Sequence, residues 1–445
     1  MSKWFDAEEH ADRALEMYER GRWAEAEAEL RKAIALNPDQ PEWYFNLGLT
    51  LEAAERDAEA MPCYERAVEL MPGQLDPLVA AGIVANRLGK YEPAIKWFQR
   101  ALRVDSHCEL AYAHQIESYV RLGDHDEAET TFYLAQQALE ERSAHCLAMV
   151  AESLMQQRHY DRAEWCLWQA LRIDPTIPRL RARLGAVYAA TGRPHRALQM
   201  FLRDLRDDPG NIDTLLEYGE ALIDLGRMPE ASEKFRRILE LEPANVDAHF
   251  RLGDIALASG RHEQAHLEFE LVLKLDPHFP RIRAVLAEAL LRRGNIDNAR
   301  PHLSDELDIL RAGDASTVPR LDLNHFGGLL LEAGMPAEAA DALERALVRD
   351  GDRPEVLRRL SLARFRAGDR EGGVTASRRA VRLDRKCVVS MHNLALAALE
   401  DGRLRIAAGW IRQGLEVDRH DDGLRRLRMR LWMKSIARAL TGRFR

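Results

Sequence analysis

A skeleton that returns every 34 residues constrains this chain more than any single motif. The segments GRWAEAEAELRKAIALNP from Gly21, GRPHRALQMFLRDLRDDP from Gly192, GRMPEASEKFRRILELEP from Gly226 and GRHEQAHLEFELVLKLDP from Gly260 share one order of residue types. Each has a Gly, an Ala five positions on, an aromatic residue or Leu four further, and a Pro eight beyond that. A chain repeating at this period folds as stacked copies of one small unit, none of which buries its apolar face alone. The Ala positions run Ala26, Ala60, Ala94, Ala128, Ala163, Ala197, Ala231, Ala265, Ala299 and Ala339, then Gly373 and Ala407, which makes twelve copies. The steps are 34 except for 35 before Ala163 and 40 before Ala339. Residues 312–320, rich in Gly, Ser, Thr and Pro, are the expected site of the longer insertion.

Upstream of each turn glycine lies a second pattern, as in Trp43-Tyr44-x-x-Leu47-Gly48-x-x-Leu51, Leu184-Gly185-x-x-Tyr188 and Leu252-Gly253-x-x-Ala256. Spacings of three and four place these residues on one helical face. Each copy therefore reads as a helix, a tight turn, a second helix and a stop. Gly at the turn accepts a positive φ, and Pro38, Pro72, Pro175, Pro209, Pro243 and Pro277 stand where a second helix must end. Small residues such as Gly48, Gly82, Gly185 and Gly253 lie where the second helix crosses the first. Tyr64, Phe98, Phe132, Phe201, Phe235 and Phe269 are expected to fill the space between hairpins.

Tyr44, Leu47, Gly48, Leu51, Ala60, Tyr64 and Pro72 resemble the pattern W-x2-L-G-x2-Y…A-x3-F…P of the tetratricopeptide repeat (TPR) family, and the resemblance extends over residues 7–421. It implies an all-α, right-handed superhelical solenoid of about twelve TPR hairpins with a C-terminal capping helix. On this reading residues 7–311 hold repeats one to nine, 312–320 an insertion, 321–421 repeats ten to twelve, and 422–445 a basic capping helix and tail. Leu424, Leu427 and Leu431 are expected to cover the last hairpin. Departures from the pattern cluster late: Pro301 enters a second helix, Gly373 and Ser377 replace Ala and the aromatic residue, and Arg385 and Arg419 stand at Pro positions.

Several function classes are disfavoured. No P-loop, nucleophile elbow or dinucleotide fingerprint occurs, and twelve hairpins plus a cap leave no span for a catalytic domain. His262-Glu263-Gln264-Ala265-His266 spells the zinc-protease motif H-E-x-x-H. The register, however, puts His262 where Trp23 and Tyr91 stand in other copies and His266 where Ile95 and Leu198 stand, which are packing positions. The five cysteines, Cys63, Cys108, Cys146, Cys166 and Cys387, form no C-x-x-C and are expected to be reduced, mostly buried residues. The expectation is therefore no enzyme, no cofactor, no metal and no small-molecule substrate. The start lacks a signal-peptide h-region and no apolar run reaches 18 residues, so a soluble, cytoplasmic protein is expected.

In TPR proteins the first helices of the hairpins line the inner groove. By that resemblance, the residue after the small position gives the series Glu117, Glu152, Ala186, Glu220, Asp254 and Glu288. Three residues earlier the series is His114, Met149, Arg183, Glu217, Arg251 and Val285. Phe45 and Phe250 fall on groove-facing positions as candidate apolar anchors. Such a lattice is either a solvated surface laced with weak bridges or a grip for an extended peptide or partner helix. The Lys–Asn carboxylate clamp of chaperone-binding TPR proteins is absent, and of an Asn ladder only Asn46 and Asn393 are present.

Charge is also uneven along the chain. The total is −8, made of about −17 over residues 1–319 and about +9 over 320–445. The tail carries Arg425, Arg426, Arg428, Arg430, Lys434 and Arg438 beside Met429, Trp432, Met433, Ile436 and Leu440. Three readings follow: a scaffold or adaptor binding a protein partner in the groove; an assembly subunit of a larger complex contacting partners through its acidic front and basic rear; and an adaptor tethered to membrane or nucleic acid by the tail.

Overall fold

The computed structural model describes residues 2–312 and 321–441, with side chains over 4–312 and 321–437. Positions 313–320 of the expected insertion, residues 442–445 and the side chain of Arg438 lie outside the described residues. Among the described residues there are 25 helices and no strand. They fall into two compact units, residues 1–234 and 235–445.

The first unit holds α1 (Ser2–Glu19), α2 (Trp23–Leu36), α3 (Pro41–Ala53), α4 (Asp57–Leu70), α5 (Leu75–Arg87), α6 (Tyr91–Val104), α7 (Glu109–Leu122), α8 (His125–Ala138), α9 (Ala144–Gln156), α10 (Tyr160–Ile173), α11 (Leu180–Ala190), α12 (Pro194–Asp207) and α13 (Ile212–Asp224). Helix α14 (Met228–Leu241) runs across the division. The second unit continues with α15 (Val246–Ala258), α16 (His262–Leu275), α17 (Ile282–Arg292), α18 (Ile296–Ala312), α19 (Leu323–Glu332), α20 (Pro336–Asp350), α21 (Pro354–Arg366), α22 (Arg370–Leu383), α23 (Val388–Glu400), α24 (Leu404–Val417) and α25 (Asp422–Thr441). Each unit is an all-α solenoid in which odd-numbered and even-numbered helices pair as hairpins, as the repeat implied.

Local chemistry sets the helix ends. Asn211 and Asn245 accept the backbone N–H of Thr214 and Ala248, which caps α13 and α15. The turn glycines adopt the left-handed region, for example Gly192 at φ 71°. Glu55 and Arg158 take the same conformation, at φ 59° and 62°, in the copies that lack a turn glycine.

In most hairpins a small residue of the first helix faces a large one of the second. A Cβ on Gly48, Gly82, Gly185 or Gly253 would lie 2.5, 2.4, 2.5 and 2.4 Å from the ring of Tyr64, Phe98, Phe201 and Phe269, respectively. Where the smaller partner is Ala151 or Ala287, the residue at the ring position is Leu167 or Leu303, all four fully buried. The copy that departs most from this pairing is filled in another way. Ser361 and Ser377 occupy the two positions, both at 0% exposure, and their hydroxyls hydrogen-bond at 2.5 Å. A neighbouring ring, Phe365, packs against Gly373, whose Cβ would meet it at 2.9 Å. The irregular copies are thus filled rather than hollow.

Candidate functional site: the first-helix face

Helices α7, α9, α11 and α13 of the first unit bring together much of the acid and arginine lattice. Glu117 accepts from His114 Nδ1 at 2.9 Å, and this bond, working against burial, holds its carboxyl below the usual range. Glu152 lies between two arginines, 3.5 Å from Arg183 and 4.0 Å from Arg121. Arg183 also donates to the Ala148 carbonyl at 3.3 Å, and burial pulls its pKa below the ordinary guanidinium value. Arg179 binds Asp213 at 2.7 Å and reaches Glu217 at 3.5 Å. Of these groups Arg121, Glu152, Arg179, Arg183 and Glu217 line an open cleft of about 500 Å³ with Met155, Gln156, Tyr160, Ala186 and Ala190, and His114, Glu117 and Asp213 lie outside it.

The cleft is incompletely paired. Glu217 Oε2 and Arg179 Nε are buried without a hydrogen-bond partner. Burial pushes the Glu217 carboxyl up to about 7; Arg179 opposes the shift, while Asp213, Glu220 and Asp204 add to it. Glu220 itself is exposed. Desolvated charges with spare hydrogen-bonding capacity are costly unless a further partner meets them.

In the second unit the candidates separate. Asp254 is half-buried, and burial raises its pKa against the positive charges of Arg281 and Arg251. Glu288 accepts from His325 Nε2 at 2.8 Å and from Arg292 at 3.3 Å, which outweighs burial and keeps it ionised; the same bond raises the His325 pKa. Phe250 is not an open anchor. At 5% exposure it packs on Phe269 and Phe279, with ring centroids 5.8 and 4.8 Å away, and the Arg281 guanidinium covers it at 5.4 Å. The bulky Phe279 just before α17 closes the side that the repeat pattern left open. Phe45 is half-buried beside Tyr64, at 5.8 Å.

Sequence reasoning missed Arg121 and Arg179. Arg179 sits at the N-terminus of α11 with φ 63°, outside the helical register. A signal was present: Ile177-Pro178-Arg179 recurs as Phe279-Pro280-Arg281 three periods later, and Arg281 has φ 64°. The His262–His266 pair is half-buried, and no group of three His, Cys, Asp or Glu among the described residues is placed to hold a metal. Burial pushes the thiols of Cys146 and Cys166 up to about 11. No described helix is long and apolar enough to cross a membrane.

The hairpin geometry and the first-helix face define a helical-repeat protein, and profile comparisons give the family. Profiles described as TPR repeat match residues 14–54, and those described as tetratricopeptide repeat match 41–74, 79–142, 180–213, 216–278 and 256–305, together more than half of the chain. The chain belongs to the tetratricopeptide repeat family. Over 94 residues it is 33% identical to a UDP-N-acetylglucosamine–peptide N-acetylglucosaminyltransferase of Giardia intestinalis, a match covering 21% of this chain and 6% of that one. Over 119 residues it is 27% identical to anaphase-promoting complex subunit 3 of Schizosaccharomyces pombe, covering 27% and 17%. The chain thus matches less than a fifth of the length of either relative. Among solved structures, the APC/C hetero-tetramer Cut9-Hcn1 aligns at 16% identity and TM-score 0.40, covering 94% of this chain and 95% of that one.

Proposed function

We propose that this protein is a non-catalytic interaction scaffold that holds an extended peptide or helix of a protein partner on its first-helix face. The observation that carries the reading is the cleft between α7 and α13. There three arginines, Arg121, Arg179 and Arg183, are interspersed with the carboxyl groups of Glu152 and Glu217, and buried atoms of Arg179 and Glu217 still lack partners. Carboxylates accept from basic side chains and backbone N–H groups of a bound segment, and the guanidinium groups donate to its carbonyls or acids. Charges arranged this way set register and association rate more than raw affinity. A family of interaction modules, one of whose relatives is a subunit of a multiprotein complex, supports the same class of function. Repeats at 7–311 and 321–421, separated by an insertion at 312–320 and followed by a basic capping helix and tail at 422–445, are proposed as its domain organisation.

The test is affinity capture from native extract with the intact chain and with the Glu152→Arg/Glu217→Arg variant, followed by cross-link mapping. A partner retained by the intact chain, cross-linked to α9, α11 or α13 and lost from a variant of unchanged helicity supports the groove. Equal capture by both forms rejects it.

A further inference from the structure

The last helix is fixed on one side and left unpartnered on the other. Leu424 and Leu427 are buried at 0% and 3% exposure against Ala395, Leu399, Ala407 and Ile411, and Leu431 packs on the same cluster. Gly414 makes room for Leu424, whose Cδ1 would lie 2.4 Å from an added Cβ. Lys434 Nζ donates to the Leu399 carbonyl at 2.8 Å. These contacts fix the rotation of α25 about its own axis.

With that rotation set, Met429, Trp432, Met433 and Ile436 fall on the opposite side. They are 65%, 65%, 52% and 40% exposed. Their spacing of three, one and three residues makes a single stripe on a helix. Cations stand at both margins. Arg426 and Arg430 line one edge with Met429 and Met433, and Arg428 lies on the other flank, one residue before Met429; Asp422 and Arg425, an ion pair at 4.0 Å, close the N-terminal end of the stripe. From residue 423 to the end the chain has eight basic residues and no acid.

We propose that α25 binds the surface of an anionic lipid bilayer, its Met–Trp–Ile stripe entering the interface and its arginines meeting lipid headgroups. The layout of charge favours this occupant. An apolar centre with basic margins matches a surface that is hydrocarbon beneath and negative above. A nucleic acid calls for cations along the centre of the contact, where this face carries Met429, Trp432, Met433 and Ile436 beyond the single Arg425 at its start. A second copy facing this stripe would set arginines against arginines. Trp432 adds the side chain type that settles at the headgroup level.

The experiment uses the full chain, because removing α25 would uncover the last hairpin. Flotation is measured with phosphatidylcholine vesicles containing about one-third phosphatidylserine and with phosphatidylcholine alone. The intact chain is expected to float with the anionic vesicles and to be released by salt. Each cation near the surface is worth about a fivefold change in partition, so Arg426→Gln/Arg428→Gln/Arg430→Gln should weaken flotation on the order of a hundredfold. Met429→Ser/Trp432→Ser/Met433→Ser should abolish it with helicity and thermal midpoint unchanged, since these exposed side chains lie outside the apolar cluster that seats α25. Absence of flotation by the intact chain overturns the proposal, as does equal flotation on neutral vesicles. So does a dimer that only the serine variant dissolves, or oligonucleotide binding that the glutamine variant loses and the serine variant keeps while neither variant alters flotation.

Discussion

Replacing Gly253 by Ala is expected to destabilise the second unit, although the same change in an open helix stabilises. An ideal Cβ on Gly253 would lie 2.4, 2.7 and 3.0 Å from Cε1, Cδ1 and Cζ of Phe269, whose side chain is fully buried. Restoring ordinary contact at 3.4 Å requires the ring to retreat by about 1 Å into an interior closed by Phe250. Overpacking of this kind costs about 1–3 kcal/mol, and the depth of the overlap places it near the upper end. The better helix propensity of Ala returns about 1 kcal/mol, so the net loss is about 2 kcal/mol. Gly409 in α24 has no atom within 4 Å of its added Cβ, and Gly409→Ala should gain about 1 kcal/mol. The two substitutions therefore differ by about 3 kcal/mol with opposite signs. Urea unfolding followed by circular dichroism gives the midpoints. Hydrogen exchange over residues 246–275 locates the loss, because damage in a repeat array is felt mainly by neighbouring repeats. Gly253→Ala/Phe269→Leu recreates the Ala287/Leu303 pair of the next hairpin and should recover stability. If Gly253→Ala behaves as Gly409→Ala does, or if the double variant is no better than the single, the packing argument is wrong.

Glu217, raised to about 7 by burial, retains its proton longer in the folded state than in the unfolded chain, where 4.5 applies. Its effect on stability is therefore unfavourable as pH rises from about 4.5 to about 7, and Glu217→Gln should remove that slope from the difference in urea midpoints. His325 has the usual histidine sign: its bond to Glu288 contributes below an unfolded value of 6.5 and is lost as pH rises through the higher folded value. Glu288→Gln should flatten this dependence, and a His325 imidazole titration by NMR should fall back toward the ordinary value. Arg158, held at φ 62° in a turn where other copies use Gly, should give a gain of about 1 kcal/mol when changed to Gly, read as a higher thermal midpoint. A lower midpoint would mean that the Arg158 side chain, rather than its backbone, matters there.

The hairpins were legible because their determinants are local. Gly192, Ala197, Phe201 and Pro209 announce turn, crossing, filler and stop within 18 residues, and each is used as the spacing implied. The candidate site was legible only in part. Glu152 and Arg183 meet as their interleaved positions suggested, but Arg179 enters from a linker and Phe250 is closed off by Phe279. Neither event is written in the period, since both depend on residues between repeats.

The sequence by itself determined the repeat unit, its helix ends and the volume match between small and large partners, because those follow from contacts at fixed short separation along the chain. Tertiary structure decided which charges pair and which atoms of Arg179 and Glu217 stay unsatisfied. Those outcomes depend on how neighbouring helices set side chains 30 or more residues apart at distances of 3–4 Å, as in Arg183 with Glu152 and Arg179 with Glu217. At that range a displacement smaller than one helical turn exchanges one partner for another.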